Sequence, residues 1–125
     1  MRAADTIIGC AIEESSRSSH YEKHGAVVYK KGKIIQSGRN QYCDAKRVRH
    51  FNSKRIFSVH AEMNALAGIP KRITKGADIM VVRTNKEGEL CNSHPCEVCM
   101  SLIRSANIRR ILYSTDDGTI VSKIV

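Results

Sequence analysis

Three of the five cysteines in this chain lie within nine residues, in the stretch Cys91-Asn-Ser-His-Pro-Cys-Glu-Val-Cys99. The stretch also contains a histidine, so its residue types suit either a metal site or a redox-active dithiol. A redox pair needs only Cys96 and Cys99, because a Cys-x-x-Cys motif at a helix N-terminus lowers a thiol pKa without further partners. A zinc site needs additional ligands from elsewhere in the chain.

Such ligands are available in the sequence His60-Ala-Glu62, which opens a second predicted helix. Residues two positions apart on a helix point in nearly opposite directions, so His60 and Glu62 reach one site only from the first turn, beyond the helix end. Cys96 and Cys99 are three apart and share one face of their own first turn. Two helix N-termini then converge, and their positive ends favour thiolate and hydroxide. This arrangement predicts a zinc site with three protein ligands and a carboxylate beside the open position.

The elements that position these residues follow from hydrophobic periodicity and from turn residues. The order is α, β, β, α, β, α, β, β, which predicts one mixed sheet with helices on its faces. The predicted elements are a helix from Ala3 to about Arg17, a hairpin whose arms Val27–Tyr29 and Ile34–Ile35 flank a Lys31-Gly32 turn, a long basic loop over 41–59, a helix from His60 that Pro70 closes, a buried strand over 77–84, a helix with Pro95 in its first turn, and strands over 109–114 and 119–124.

The last two predicted strands are joined by a short connection. An Asp-Gly turn at 117–118 follows the strand at 109–114 after only a few residues. A crossover to a parallel neighbour needs a dozen or more residues. We therefore predict that 119–124 pairs antiparallel with 109–114.

Composition limits the classes of protein that this chain can represent. Its 125 residues predict one compact domain spanning 1–125. The net charge of +9 either attracts phosphates, on a mononucleotide or on a nucleic acid, or serves solubility alone. Five cysteines with no signal-peptide pattern before them favour a reducing, cytoplasmic setting. No apolar run approaches the length of about 20 residues that a membrane span needs, so we expect no membrane association.

The two motifs together carry a family resemblance. His-Ala-Glu followed by Pro-Cys-x-x-Cys, each opening a helix, resembles the signature of the zinc-dependent cytidine and deoxycytidylate deaminase superfamily. The hairpin and the strand after the second motif helix also follow that family's order. The resemblance implies a three-layer α/β/α sandwich around a five-stranded mixed sheet, one zinc ion per chain and a homo-oligomer. It is compatible with a viral or phage origin.

The resemblance also implies roles for the motif residues. His60, Cys96 and Cys99 would bind zinc, which keeps a fourth position for water and lowers the pKa of that water towards about 7. Glu62 would take the proton, pass it to N3 of the ring as C4 is attacked, and then protonate the departing ammonia. The expected reaction is the hydrolytic deamination of a cytosine nucleotide.

Three residues are candidates for substrate contact. Asn40 lies where many relatives carry an asparagine that holds the sugar, although it also suits a turn after a strand. Ala61 lies between the two motif residues, and His94 either touches substrate or caps and packs against its helix. Asn64 completes the pattern His-Ala-Glu-x-Asn-Ala, which relatives that act on deoxycytidylate often share. This pattern favours dCMP over tRNA adenosine as the substrate.

The predicted loop over 41–59 offers further candidates, which are strongly basic. They would bind one substrate phosphate, follow a polynucleotide backbone, or form a solvated surface. The aromatic residues there are few for base stacking. The candidate phosphate contacts are Lys46, Arg47, Arg49, Lys54 and Arg55, and the aromatic residues are Tyr42, Phe51 and Phe57.

Two rival functions stay open. One is an editing deaminase that acts on cytosine or adenosine in single-stranded DNA or tRNA. The other is a non-catalytic zinc module in which Cys91 or His94 closes the fourth position, although Glu62 argues against it. A second zinc site at Cys43, His50 and Cys91 lacks a tight spacing pattern, so free thiols and a surface histidine are preferred. The antiparallel end strand suits the nucleoside-type branch of the family, whereas the helix motifs resemble the nucleotide type.

Overall fold

The computed structural model describes residues 3–42 and 58–125. Most of the predicted basic loop lies outside these ranges, together with the candidates Lys46, Arg47, Arg49, Lys54 and Arg55, the second-site residues Cys43 and His50, and Phe51 and Phe57. The helices of the described part are α1 (Ala3–Ser16), α2 (Ala61–Leu66), α3 (Lys71–Thr74) and α4 (Glu97–Ser105). Its strands are β1 (Lys23–Lys30), β2 (Lys33–Arg39), β3 (Gln41–Tyr42), β4 (Ser58–Val59), β5 (Asp78–Thr84), β6 (Leu90–Cys91), β7 (Arg110–Ser114) and β8 (Ile120–Ile124).

The main sheet is mixed, as predicted. Its strands follow the order β2-β1-β5-β7-β8, and the two-residue strand β6 pairs with β5 outside this path. β1 is antiparallel to both β2 and β5, whereas β5 and β7 are parallel. The main path therefore has the five expected strands, and β6 adds a sixth. β3 and β4 form a separate two-stranded sheet.

The pairing of the last two strands confirms the prediction from the short turn. β8 runs antiparallel to β7, with Ser114 opposite Ile120 and Arg110 opposite Ile124. The turn between them is closed by the amide of Thr115, which donates to the carbonyl of Thr119 at 2.9 Å. So few residues leave no room for a crossover helix.

The central strands are buried on both faces, which explains their continuous apolar runs. Successive residues of β1 alternate between two cores, so that Val28 packs on one side of the sheet and Val27 on the other. Helix α1 covers the face of Val27 with Ile7 and Ala11, and helices α2 and α4 cover the opposite face. This layering is the expected α/β/α sandwich.

Two glycines allow helices to lie unusually close to the sheet. A Cβ atom at Gly25 would lie 2.1 Å from the carbonyl oxygen of Ala11 in α1. A Cβ atom at Gly38 would lie 2.6 Å from the backbone nitrogen of Ala65 in α2. Only glycine permits these approaches. The contact at Gly38 sets the depth at which α2 presents its N-terminal residues.

Both prolines lie outside the helices to which the sequence assigned them. Helix α2 ends at Leu66, before the predicted end at Pro70, and the Nε2 of Gln36 donates to three carbonyls at this end of the helix. Pro70 is instead the N-cap of the short helix α3. Pro95 precedes helix α4, whose N-cap is Cys96. No helix in the described residues is long and apolar enough to cross a membrane.

Candidate active site

The site forms where helices α2 and α4 begin. His60 is the N-cap of α2 and Cys96 is the N-cap of α4, both with extended backbone. Neither side chain caps its own helix by a hydrogen bond. Each N-cap residue therefore contributes its carbonyl to the helix and keeps its side chain for the space between the two helix ends.

The three predicted ligands form a compact cluster. The Nδ1 of His60 lies 3.2 Å from the Sγ of Cys99 and 3.6 Å from the Sγ of Cys96. The ligand atoms of all three lie within 4.8 Å of one another. Tetrahedral zinc with ordinary Zn–N and Zn–S bonds holds such atoms about 3.5 Å apart. The donor set and its spacing therefore fit one zinc ion.

The chemistry of Cys99 also suits a metal. Burial raises the pKa of its thiol, and the carboxylate of Glu62 and the neighbouring Cys96 raise that pKa further. A thiol in such surroundings stays protonated by itself, but a bound cation removes the proton. Zinc at this cluster thus supplies the positive charge that the site lacks.

Glu62 lies in the first turn of α2 and is only 4% exposed. It lines one pocket with His60, Ala61 and Cys96. His60 and Glu62 thus reach the same pocket from the beginning of α2. Further along a helix, two residues with this spacing would point in nearly opposite directions. A buried carboxylate is rare unless it is paired or functional.

The predicted substrate contacts Asn40, Ala61 and His94 line this same pocket, and so do residues that the sequence analysis did not identify. These are His20 and Glu22, from the segment that joins α1 to β1, and His24, the second residue of β1. His20 and Glu22 lie in the bend before β1, where the backbone nitrogen of Glu22 donates to the Nδ1 of His20 at 3.0 Å, and His24 follows in β1 itself. The pattern His-x-Glu-x-His was the feature of the sequence that could have identified these three residues as site candidates.

Asn40 uses its amide mainly within the protein. Its Oδ1 accepts from the backbone nitrogen of His24 at 2.9 Å and lies 2.6 Å from the Oγ of Ser18. Its Nδ2 donates to the carbonyl of Glu22 at 2.6 Å. One N–H remains for any other partner. The side chain therefore ties the segment 18–24 to the end of β2, and a sugar contact stays a prediction.

His24 has a defined tautomer. Its Nδ1 lies 3.1 Å from the carbonyl oxygen of Glu22, and a carbonyl only accepts, so Nδ1 carries a proton. Burial lowers the pKa of this imidazole. The ring is therefore neutral near pH 7, and its Nε2 keeps a lone pair that can accept a hydrogen bond.

His94 and Cys91 do not complete the metal cluster. His94 packs edge-to-face against Tyr113, with ring centroids 4.9 Å apart, and its Nδ1 lies 2.9 Å from the carbonyl oxygen of Pro95. The Sγ of Cys91 donates to the carbonyl of Glu89. Across residues 3–42 and 58–125, the cluster with metal-binding geometry consists of His60, Cys96 and Cys99 alone. The fourth position postulated for a non-catalytic module thus has no ligand among these residues.

Asn64 connects the site to the hairpin. Its Nδ2 donates to the carbonyl of Arg39 at 2.7 Å, next to Asn40. The side chain therefore joins helix α2 to the end of β2 and holds two walls of the pocket together.

Comparison with known proteins agrees with this geometry. The family described as the cytidine and deoxycytidylate deaminase zinc-binding region matches residues 1–115. This chain belongs to that family. It is a zinc-dependent deaminase, and His60, Cys96 and Cys99 are positioned to hold its metal ion.

Solved structures share the fold at low sequence identity. A cytidine deaminase from Burkholderia pseudomallei is 17% identical, with a TM-score of 0.67 over 96% of this chain and 91% of that one. A dCMP deaminase from the cyanophage S-TIM5 is 23% identical, with a TM-score of 0.63 over 91% of this chain and 84% of that one. RibD from Acinetobacter baumannii is 19% identical, with a TM-score of 0.55 over 89% of this chain and 27% of that one. No curated protein matches the chain.

Proposed function

We propose that this protein removes the amino group from the cytosine of a nucleotide by hydrolysis, and that dCMP is a substrate. The observation that carries the proposal is the buried carboxylate of Glu62, which lines one pocket with the zinc ligands His60 and Cys96. A purely structural zinc site has no use for an acidic group at that position. A hydrolytic site needs one, because protons must move between water and the leaving group.

The reaction is a substitution at C4 of the ring. Zinc, when bound by His60, Cys96 and Cys99, supplies the Lewis acidity that lowers the pKa of a water molecule. Glu62 accepts a proton at a carboxylate oxygen and delivers it to N3 as the water oxygen bonds to C4. It then takes the remaining proton from the oxygen bonded to C4 and transfers it to the amino nitrogen, so that the C4–N4 bond breaks, C4 becomes a carbonyl and ammonia leaves. The other product is the uracil nucleotide.

The pocket walls supply groups that can hold a cytosine. Ala61 is the first residue of α2, and the first amides of a helix have no acceptor within it. The Ala61 amide is therefore a candidate donor to the base. The neutral His24 offers a lone pair at Nε2, which can accept from an amino group. His94 is held by Tyr113 at the same pocket and is a further candidate contact.

Two observations support dCMP as the form of the nucleotide. The chain carries the His-Ala-Glu-x-Asn-Ala pattern, in which Asn64 joins α2 to the hairpin. A structural neighbour, the S-TIM5 enzyme, is a dCMP deaminase that has been solved with dCMP and dUMP. The proposed phosphate contacts are the basic residues between 46 and 55, and the net charge of +9 favours an anionic substrate.

A second candidate substrate is cytosine within a nucleic acid. It is favoured by exposed aromatic rings beside the pocket, at Tyr21 and Tyr42, which are 79% and 46% exposed. Aromatic rings bind bases by stacking, regardless of sequence.

An assay of the zinc-loaded protein tests the proposed function. We expect ammonia release from dCMP, with dUMP as the product, when dCMP, cytidine, dCTP, a cytosine-containing single strand and tRNA are compared at equal concentrations. Absence of deamination from every substrate, in protein shown to carry zinc, would refute the proposal.

We also propose a cytoplasmic homo-oligomer built from one domain over residues 1–125, which sedimentation and limited proteolysis can test.

A further inference from the structure

A pair of buried serine hydroxyls joins the loop before helix α4 to the main sheet. This loop, called here the metal loop, runs from Asn92 to Cys96 between β6 and α4 and carries one zinc ligand. Ser93 of the metal loop is 2% exposed, and Ser114, the last residue of β7, is completely buried. Their hydroxyl oxygens lie 2.8 Å apart. The two residues, called here the serine pair, thus link the metal loop to the end of a central strand.

The Ser93 hydroxyl takes the place of a further rung of the sheet. Strands β5 and β7 pair in parallel up to Val81 and Tyr113, where their ladder ends. Just beyond this point the Oγ of Ser93 donates to the carbonyl of Val81 at 2.6 Å and accepts from the amide of Ser114 at 2.8 Å. The amide of Ser93 donates to the carbonyl of Ser114 at 2.9 Å. One residue of the metal loop therefore satisfies backbone groups of two buried strands.

Ser114 holds the same region of the chain from the side of the sheet. Its Oγ donates to the carbonyl of Cys91 at 2.6 Å and accepts from the amide of Arg83 at 3.1 Å. At the outer end of the metal loop, the amide of Asn92 donates to the carboxylate of Asp116 at 2.8 Å. The beginning of the metal loop is thus bound to β5, to β7 and to the turn that follows β7.

Packing alone does not hold the side chain of Cys96 in place. This residue is exposed, whereas Cys99 is completely buried. Only three residues separate Cys96 from Ser93, a span of at most about 10 Å, and Pro95 between them has a restricted φ. The Sγ of Cys96 lies 3.6 Å from the Nδ1 of His60, and zinc–ligand distances stay within about 0.2 Å of their usual values. A shift of the metal loop therefore changes the geometry of the metal site.

We propose that Ser93 and Ser114 are positioning residues of the zinc site, which act through the metal loop on Cys96. Hydroxyls suit this task because a hydrogen bond has a defined length and direction, whereas apolar burial is non-directional and would let the loop slide. Neither serine belongs to the three-ligand cluster or lines the pocket. The inference rests on the zinc site and is independent of which nucleotide the enzyme prefers.

A matched set of alanine variants separates positioning from folding. Ser93→Ala and Ser114→Ala each remove one hydroxyl of the serine pair, and Ser15→Ala is the control. Ser15 is also a completely buried serine, and its Oγ donates to the carbonyl of Lys23 at 2.9 Å, but it joins α1 to β1. All three substitutions leave a buried carbonyl without its donor and should therefore lower stability. Only the first two should affect the metal.

The first measurement is the affinity of each folded variant for zinc, obtained by competition with a chromophoric chelator. Removing groups that orient metal ligands typically weakens metal binding about 10- to 100-fold. We expect a loss of that size for Ser93→Ala and Ser114→Ala, and native affinity for Ser15→Ala. Equal affinity in all three variants, whether native or weakened, would overturn the proposal, because the serine pair would then act on stability alone.

The second measurement uses Co²⁺ in the same site as a reporter of ligand geometry. Zn²⁺ has a filled d shell, whereas Co²⁺ absorbs visible light in d–d bands that depend on the arrangement of its ligands. At saturating cobalt we expect altered bands for Ser93→Ala and Ser114→Ala, and the native spectrum for Ser15→Ala. A loss of stability does not change the spectrum of protein that remains folded. Native spectra from both serine-pair variants would overturn the proposal.

A rescue at position 114 keeps the test decisive if Ser93→Ala fails to fold. Ser114→Thr retains the hydroxyl, whereas Ser114→Val has the same shape without it, and β-branched residues suit a strand. We expect Ser114→Thr to bind zinc about 10- to 100-fold more tightly than Ser114→Val. Equal zinc affinity of these two variants would overturn the proposal. Neither metal measurement involves a nucleotide, so failure of the proposed function would leave both results unaffected.

Discussion

At the scale of single residues, Glu62 and the zinc ligands have separable roles. The carboxylate lines the pocket but does not belong to the three-ligand cluster. Removing its charge should therefore leave the metal in place. Removing a thiol should release it.

Glu62→Gln should retain zinc and fold but lose nearly all turnover. The amide keeps the shape of the side chain and cannot carry a proton, and general acid–base catalysis contributes about 10²- to 10⁴-fold. Metal analysis and kcat on the preferred cytosine substrate check this. The control is Glu97→Gln, a change of the same type in the first turn of α4. Equal activity of the Glu62 variant and the control would assign proton transfer to another residue.

Cys99→Ser should lose the metal, because a hydroxyl is a poor zinc ligand compared with a thiolate. The native protein should contain about one zinc per chain. Cys10→Ser and Cys91→Ser serve as controls, since neither thiol belongs to the metal cluster. Elemental analysis of protein prepared without chelator gives the ratio. A ratio near two, lowered by Cys91→Ser, would instead support a second site with Cys43 and His50.

Asn40→Ala should reduce both stability and substrate use, the latter less than Glu62→Gln does. The amide joins Ser18, Glu22 and His24 to the end of β2. Its loss leaves buried polar groups without partners, which costs about 1–3 kcal/mol of unfolding free energy. Urea unfolding and KM together test this. A raised KM with unchanged unfolding free energy would show that the side chain acts on substrate alone.

At the scale of elements, the site depends on how closely helix α2 approaches β2. Gly38→Ala places a Cβ 2.6 Å from the backbone nitrogen of Ala65, so the helix that carries His60 and Glu62 must shift. We expect a loss of roughly 1–3 kcal/mol of unfolding free energy, together with weaker zinc binding.

The matched control for this change is Gly9→Ala in helix α1. A Cβ at Gly9 meets nothing within 4 Å, and alanine raises helix propensity by up to about 1 kcal/mol. The two substitutions add the same methyl group and should change the unfolding free energy in opposite directions. Thermal or urea unfolding measures both. A stabilising effect of Gly38→Ala would show that the packing of α2 against β2 is looser than described.

At the scale of the whole molecule, positive charge occurs at both ends of the sheet. A groove lined by basic residues lies at the hairpin turn, at the end of β1 opposite to His24. The seven residue-to-residue steps from His24 to Lys31 span about 23 Å of extended chain. The groove is lined by Lys30, Lys31, Lys33, Ile35, Arg72 and Ile73.

Salt dependence should distinguish the two forms of the substrate. Each phosphate neutralised on a single strand contributes a log–log slope of about −0.7, so a strand with three such contacts shows about −2. We expect a steep slope for a single-stranded pentanucleotide with a central cytosine and a shallow one for dCMP. Binding measured across a salt series provides both values. Equal slopes would contradict binding of the single strand through several of its backbone phosphates.

A charge-matched pair of variants then locates the contacts. Because the basic groove is remote from the pocket, Lys33→Gln with Arg72→Gln should leave the slope for the pentanucleotide unchanged. Lys23→Gln with Arg83→Gln removes two cations near the pocket end of the sheet and should make the slope shallower. The reverse result would place the strand along the hairpin turn.

The sequence by itself determined the metal site and the topology near the chain end. His60, Glu62, Cys96 and Cys99 lie within the first turns of two helices, and local spacing defines local geometry there. The antiparallel pairing of β7 with β8 followed from a connection too short for a crossover. Within each motif and within the turn, the deciding interactions span only a few residues of chain, whereas the meeting of His60 with Cys96, 36 positions away, is a tertiary contact.

Only the tertiary structure decided which other residues surround the substrate pocket. His20 and Glu22 lie in a bend without helical or strand periodicity, His24 lies at the beginning of β1, and the amide of Asn40 holds Glu22 and His24 from 16 or more positions away. The ring of Tyr42 likewise packs on that of His20 across the hairpin, with centroids 4.7 Å apart. Such contacts leave no period in the sequence, because hydrogen bonds and ring packing between distant segments depend on how the layers assemble, as at Gly38 against Ala65.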